Sequence, residues 1–295
     1  MIRCGHADAA DIPALKRLWR LSFDDTDRAI DNFFSRFFSE EHCVAAYREN
    51  RLAAALYMLP AGISGENTVL PAHYIYAAAT MPEHRGQGMM AELLNYAAQQ
   101  GTARGDCFSV LVPANEGLFA YYEKQGYREH SAMRKVIRTR EACIRWLENR
   151  SGKNFSAPET DPTPEVCRIV RIRNDYIKSR AGSLLWDEQA VARALSMAGV
   201  YGGRILCPDD GGYALIRSLS RDHLDVQECI ASDKAFDKIM VQMVNLGFKT
   251  YSFRLPNDCC VFGTEGTTVH FSMIKPLGDV SVPHSLHPYV GLPLD

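Results

Sequence analysis

The chain opens with a short strand-like run, Ile2 to Cys4, and then changes period. In "DIPALKRLWRLSF" the residues Leu15, Leu18, Trp19 and Phe23 recur at helical spacing, with Asp11 placed to cap and Pro13 inside the first turn. "RAIDNFFSRFF" repeats that spacing with Ile30, Phe33, Phe34, Phe37 and Phe38. The pattern then turns strand-like in "HCVAAYREN" and "RLAAALYMLP", joined by a polar turn around Asn50, and again in "HYIYAAAT". A loop with two glycines follows, and after it a helix expected to bury Met90, Leu93, Leu94 and Ala97. "CFSVLVPAN" reads as a strand, "EGLFAYYEKQGY" as a short helix closed by Gly126, and "AMRKVIRT" as a further strand. A helix pair, antiparallel-type strands and one strand–helix–strand unit predict a mixed α/β domain with a mixed sheet, not a doubly wound one.

From Thr139 to Pro164 the pattern gives a helix and then "SGKNFSAPETDPTPE", a linker rich in Pro, Ser and acids. Helices through "WDEQAVARALSMAG", strands "GRILCP", "GGYALIRS" and "LDVQECIAS", the helix "KAFDKIMVQMVNLG" and strands "KTYSFRLP" and "VHFSMIKPL" come next. This order echoes the first half and suggests a structural repeat. The resulting division is 1–138, a helix and linker over 139–164, a second domain over 165–277, and an irregular Pro-rich tail over 278–295.

Composition narrows the classes. With 46% hydrophobic and 23% charged residues and a formal net charge of −2, the chain lacks the basic excess that nucleic acid or an anionic membrane would favour. No apolar run is long enough for a membrane span, and the first residues do not resemble a secretory signal. Nine scattered cysteines with no zinc-type spacing predict reduced thiols, a cytoplasmic protein and no metal.

The chemistry concentrates at "TMPEHRGQGMMAELLNYAAQQG". A Walker loop is excluded because GxxxxGK[ST] is absent. Gly86-x-Gly88-x-x-Ala91 fits a dinucleotide fingerprint with Asp106 as its acid, but four residues separate Gly86 from the strand end, and Asp106 precedes the next strand instead of closing it. A plain turn before a helix is a third reading. The fourth is a pyrophosphate cradle: glycines let main-chain N–H groups and a helix N-terminus meet an anion, Arg85 adds charge, and the flanking strands splay to admit a pantetheine arm.

Arg85-Gly86-Gln87-Gly88 after "ATMPEH", followed by "PANEGLFAYYEKQGYRE", resembles the two signatures of the GNAT acetyltransferase superfamily, in family order and spacing, over residues 1–138. Met90 stands where the family has Gly or Ala. With its long second half, which lacks an RGxG equivalent at "ECIASDKAFDKIM", the chain resembles the Eis-type branch, in which a second, degenerate GNAT-like domain follows the catalytic one. Eis-type proteins end in a sterol-carrier-like domain, for which this chain is short.

The resemblance implies acetyl-CoA as cosubstrate, held by Ala78, Ala79, Thr80, Arg85, Gly86, Gln87, Gly88, Met89, Met90 and Asn115, with Asn115 equally readable as a helix N-cap. It makes Tyr122 the acid that meets the leaving thiolate, and Tyr121 its packing neighbour. Asp24, Asp25 and Asp27 border the acceptor side, where carboxylates attract a cationic amine; as helix caps they need no function. His73 and His84 are further proton-relay candidates, and the terminal carboxylate of Asp295 is offered as a second catalytic group. The implied activity is N-acetyl transfer to a primary amine of a small molecule or peptide by direct attack, with homo-oligomerisation expected from Eis-type precedent. A non-catalytic acyl-CoA sensor is the competing class.

Overall fold

The computed structural model describes residues 2–151, 164–209, 211–283 and 287–292. The linker expected between 152 and 163 lies outside the described residues, as does Asp295. The chain divides into two compact units, the first built from residues up to His130 with a return segment from Phe271, the second mainly from Ser131–His270.

The first unit starts with β1 (Ile2–His6), α1 (Ile12–Ser22) and α2 (Asp27–Arg36). Asp11 stands at the N-cap of α1 but makes no side-chain cap bond; its carboxylate accepts from the Tyr47 hydroxyl and the Asp8 amide instead. Thr26, not an aspartate, caps α2 through Ala29 N–H. β2 (Cys43–Arg48) and β3 (Arg51–Ser64) form a hairpin whose turn residues Glu49 and Asn50 both have positive φ, 51° and 59°, the geometry that matches the twist of the strands. β4 (Val69–Thr80), α3 (Met89–Ala103), β5 (Phe108–Leu111) and α4 (Gly117–Glu123) complete the segment.

β4 runs antiparallel to β3 and parallel to β5. On one face of β3 and β4, the rings of Trp19, Phe33, Phe34, Tyr57 and Tyr76 pack with centroids 4.8–6.4 Å apart, which anchors α1 and α2. On the other face α3 buries Met89, Leu93, Leu94, Ala97 and Gly101. Met89 enters the core where the pattern put Met90, and Met90 is only partly buried against it. Gly101 permits close approach: a Cβ there would lie 2.6 Å from His73 Cε1.

The second unit contains β6 (Arg128–Thr139), α5 (Arg140–Ser151), α6 (Val166–Ile177), β7 (Leu184–Leu185), α7 (Glu188–Val200), β8 (Arg204–Asp209), β9 (Gly212–Ser220), β10 (His223–Ala231), α8 (Asp233–Asn245) and β11 (Thr250–Pro256). Its strands follow the order β6-β11-β10-β9-β8. β9 and β10 are antiparallel, α8 follows, and β11 runs parallel to β10. This is the β3–β4–α3–β5 arrangement over again. Inside this unit Glu228 lies 3.3 Å from Arg173 and accepts from the hydroxyls of Tyr213 and Tyr289, so the described tail residues around Tyr289 are held in a buried polar socket.

The chain then returns to the first unit as β12 (Thr267–Pro276), with Met273–Pro276 antiparallel to β5 and the order β1-β2-β3-β4-β5-β12. The described tail beyond it has neither helix nor strand.

Candidate active site

β4 and β5 are paired over only three positions, Ala72↔Phe108, His73↔Ser109 and Tyr74↔Val110. β4 then continues to Thr80 while remaining paired with β3. Past Tyr74 no further β4–β5 pairing occurs among the described residues. A register shift between Ala55 and Tyr57 of β3 faces Ala77 and Ala78, and Ala77 takes a φ of 47°. The result is a bulge, which re-aims backbone groups at the point where the strands part. Ala78 is partly buried, Ala79 is buried and paired with Ala55, and Thr80 is paired with Ala54.

A turn of 3₁₀ helix, Pro82–His84, carries the chain to Arg85. Gly86 and Gly88 follow with φ of 72° and 79°, values that side-chain-bearing residues adopt at a cost. A Cβ at either position would meet nothing within 4 Å, so the space over both is open. Gly88 is the N-cap of α3, and no side chain caps that end. The first N–H groups of α3, those of Met89 and Met90 among them, thus face outward with the positive end of the helix dipole behind them. Met90 is partly buried and packs against the core of this unit.

Neither long side chain of the loop enters the cradle. Arg85 Nε donates to Thr80 O at 3.1 Å and Nη2 to Leu21 O at 3.3 Å. Gln87 Nε2 donates to Glu83 O at 2.9 Å, and its Oε1 accepts from Arg48. The cradle as it stands is main chain only, braced from outside. Sequence reasoning missed this bracing, because its partners, Leu21 and Arg48, are remote in the chain.

The second unit offers the contrast. At the equivalent place Ser232 Oγ caps α8 through Ala235 N–H, and Asp233 puts a carboxylate in the first turn. The helix end is already satisfied and already negative, which removes its use for a phosphate.

Tyr122 is buried in α4, edge-on to Tyr121 at 5.3 Å and to Tyr127 at 5.8 Å. Burial, with Tyr121 beside it, pushes its phenol up to about 12. Tyr127 is buried deeper, and its hydroxyl is 2.7 Å from Ser109 Oγ. Asn115 is exposed before α4, and Glu116 takes the N-cap position. Asp25 accepts from the Trp19 indole at 2.7 Å, Asp27 pairs with Arg20 at 2.5 Å, and Asp24 is exposed in the same turn. His84 is partly buried in the 3₁₀ turn.

His73 sits beneath α3, away from the cradle glycines in the fold. Its Nδ1 is 2.7 Å from Asp106 Oδ2, which also accepts from Arg104 at 2.8 Å, while its Nε2 has no hydrogen-bond partner among the described residues. Asp106 is therefore occupied inside the fold and is not placed to hold a ribose, which removes the dinucleotide reading. Desolvation holds the His73 imidazole below its ordinary pKa, against the opposite pull of Asp106. The neutral form is thus favoured by folding, whereas the unfolded chain takes up the proton near ~6.5. Stability from this group is full above the unfolded value and is lost as pH falls below it. We expect the urea midpoint to drop between pH 7 and pH 5, and His73→Asn, less stable throughout, to lose that part of the slope. An unchanged slope in the variant would remove His73 as its source.

Residues 4–129 match the acetyltransferase (GNAT) domain family. No curated protein matches the sequence. Similar solved structures include GCN5-related N-acetyltransferases from Kribbella flavida (17% identity, TM-score 0.73, covering 94% of this chain and 72% of that one) and Anabaena variabilis ATCC 29413 (16%, 0.72, 93% and 72%). Eis1 from Mycobacterium abscessus is a third (11%, 0.67, 94% and 74%). At these identities the likeness is one of fold. No helix among the described residues is long and apolar enough to cross a membrane.

Proposed function

We propose, from the match of residues 4–129 to the acetyltransferase (GNAT) domain family, that the chain transfers an acetyl group from acetyl-CoA to a primary amine of a small molecule or peptide, by direct attack. The observation that carries this reading is the open main-chain cradle at Gly86 and Gly88 beside the parting of β4 from β5. Open main chain with positive φ at both glycines, ahead of a helix N-terminus, suits a diphosphate in charge. Acetyl-CoA bound there supplies an activated thioester carbonyl.

In this reading the loop amides and the N-terminus of α3 hold the diphosphate. The backbone along Ala78, Ala79 and Thr80, on the edge turned away from β3, binds the arm and offers hydrogen bonds where negative charge develops on the carbonyl oxygen. Tyr122, kept protonated by burial, donates a proton or a strong hydrogen bond to the departing sulfur. Asp24, Asp25 and Asp27 draw a cationic amine toward the α1 side, with Asp25 and Asp27 partly satisfied by Trp19 and Arg20.

A thermal-shift comparison tests the reading. Acetyl-CoA at about a hundred times its Kd should stabilise the protein by roughly 2.7 kcal/mol, while NAD should leave the midpoint unchanged. Thiol release should then follow when amines are added. Stabilisation without release from any amine would favour a sensor, and stabilisation by NAD alone would overturn the proposal.

A further inference from the structure

The direction of the Arg85 side chain gives it a different task from the one its motif position suggests. Its backbone is extended, φ −65° and ψ 150°, and its guanidinium is engaged by main-chain carbonyls outside the Gly86–Gly88 loop. Its two contacts belong to different elements. One is Thr80 O, at the end of β4; the other is Leu21 O, in the last turn of α1. A carbonyl in the last turn of a helix lacks an intrahelical donor and carries the negative end of the dipole. A guanidinium is well suited to that place, because its fixed fork reaches two acceptors at once.

Beyond Leu21 the chain leaves α1 at Phe23, whose N–H closes the helix on Trp19 O at 2.9 Å. It then forms the Asp24–Asp25–Thr26 turn, tied back to Trp19 through Asp25. Arg85 is therefore a strut between the loop that would hold the diphosphate and the turn that carries the acceptor-side carboxylates. Gln87 braces the opposite flank of the same loop, through Glu83 O and Arg48.

We propose that Arg85 is a positioning residue, not a phosphate ligand, and that a diphosphate filling the cradle orders the turn between α1 and α2 through it. This rests on the acetyl-CoA reading above. A ligand that stills the loop fixes the strut, and the strut fixes the end of α1. By linkage, an amine that orders the turn tightens acetyl-CoA to the same degree.

Hydrogen–deuterium exchange on the full chain, with and without acetyl-CoA, tests this together with calorimetric titration of acetyl-CoA. In the parent protein acetyl-CoA should slow exchange both in the loop around Gly86–Met90 and in the turn Leu21–Asp27. In Arg85→Ala, affinity for acetyl-CoA should stay within about threefold and loop protection should persist, while protection of the turn is lost. Arg85→Lys separates charge from geometry. A ligand acting by charge is largely rescued by lysine, whereas a forked strut is not, so this variant should behave in exchange as the alanine does. A larger loss of affinity in Arg85→Ala, or turn protection that survives it, overturns the proposal. Absence of loop protection in the parent protein would instead overturn the acetyl-CoA reading itself, a distinct result.

Discussion

Gly88→Val should abolish measurable acetyl-CoA binding while leaving a folded protein. Gly88 lies at φ 79° and ψ −1°, so any side chain there carries a backbone cost of about 1–2 kcal/mol. That cost is bearable for a domain of ordinary stability. The larger effect falls on the ligand. The valine branches would occupy the space now empty for 4 Å around a Cβ, and would hold an anion away from the first amides of α3. We expect Kd for acetyl-CoA to rise by about a hundredfold or more, equivalent to about 2.7 kcal/mol. Gly105→Val is the matched control. Gly105 has a φ of 92° and equally open space, but lies past the opposite end of α3. It should cost similar stability and leave affinity intact. Equal loss of affinity in both variants would assign the effect to strain, and near-parental affinity in Gly88→Val would remove the cradle from the mechanism.

Tyr122→Phe should lower kcat by about a hundredfold with little change in the KM for acetyl-CoA, within the range for loss of one general acid. The ring stays, and with it the edge-on contacts to Tyr121 and Tyr127, so the melting temperature should hardly move. The pH dependence sharpens the test. With the phenol pushed up to about 12 by burial, Tyr122 remains a proton donor throughout the working range. Any loss of rate between pH 8 and 10 must then come from another group and should persist in the phenylalanine variant. If the variant keeps full kcat, the thiolate is protonated by something else and Tyr122 is a packing residue.

Much of this could be read from the residues alone, because the signals are local. Gly86 and Gly88 mark a loop that needs positive φ, and the spacing of Leu93, Leu94 and Ala97 marks the helix behind it. The resemblance carried by Arg85–Gly88 and Tyr122–Tyr127 is borne out over residues 4–129. The mixed-sheet fold, with a second unit repeating the element order, is also as expected. What escaped reading depends on partners far along the chain. Arg85 meets Leu21 across 64 residues, and nothing in the RGQG motif says which way its side chain turns. That Met89 and not Met90 is the buried methionine is a matter of one residue of phase, which the apolar stripe alone leaves open. Asp106 looked like a ribose acid by spacing, and only packing reveals that His73 and Arg104 already hold it.

The antiparallel pairing of Met273–Pro276 with Phe108–Leu111 has a consequence for biogenesis. A polypeptide emerging from the ribosome would have delivered its phosphate loop and its tyrosine well before the segment that covers the flank of β5. Until then a short, largely apolar strand presents unpaired amides and carbonyls on that flank, the kind of margin on which nascent chains associate with one another. Maturation of the amino-terminal half therefore waits on the carboxy-terminal half having been synthesised.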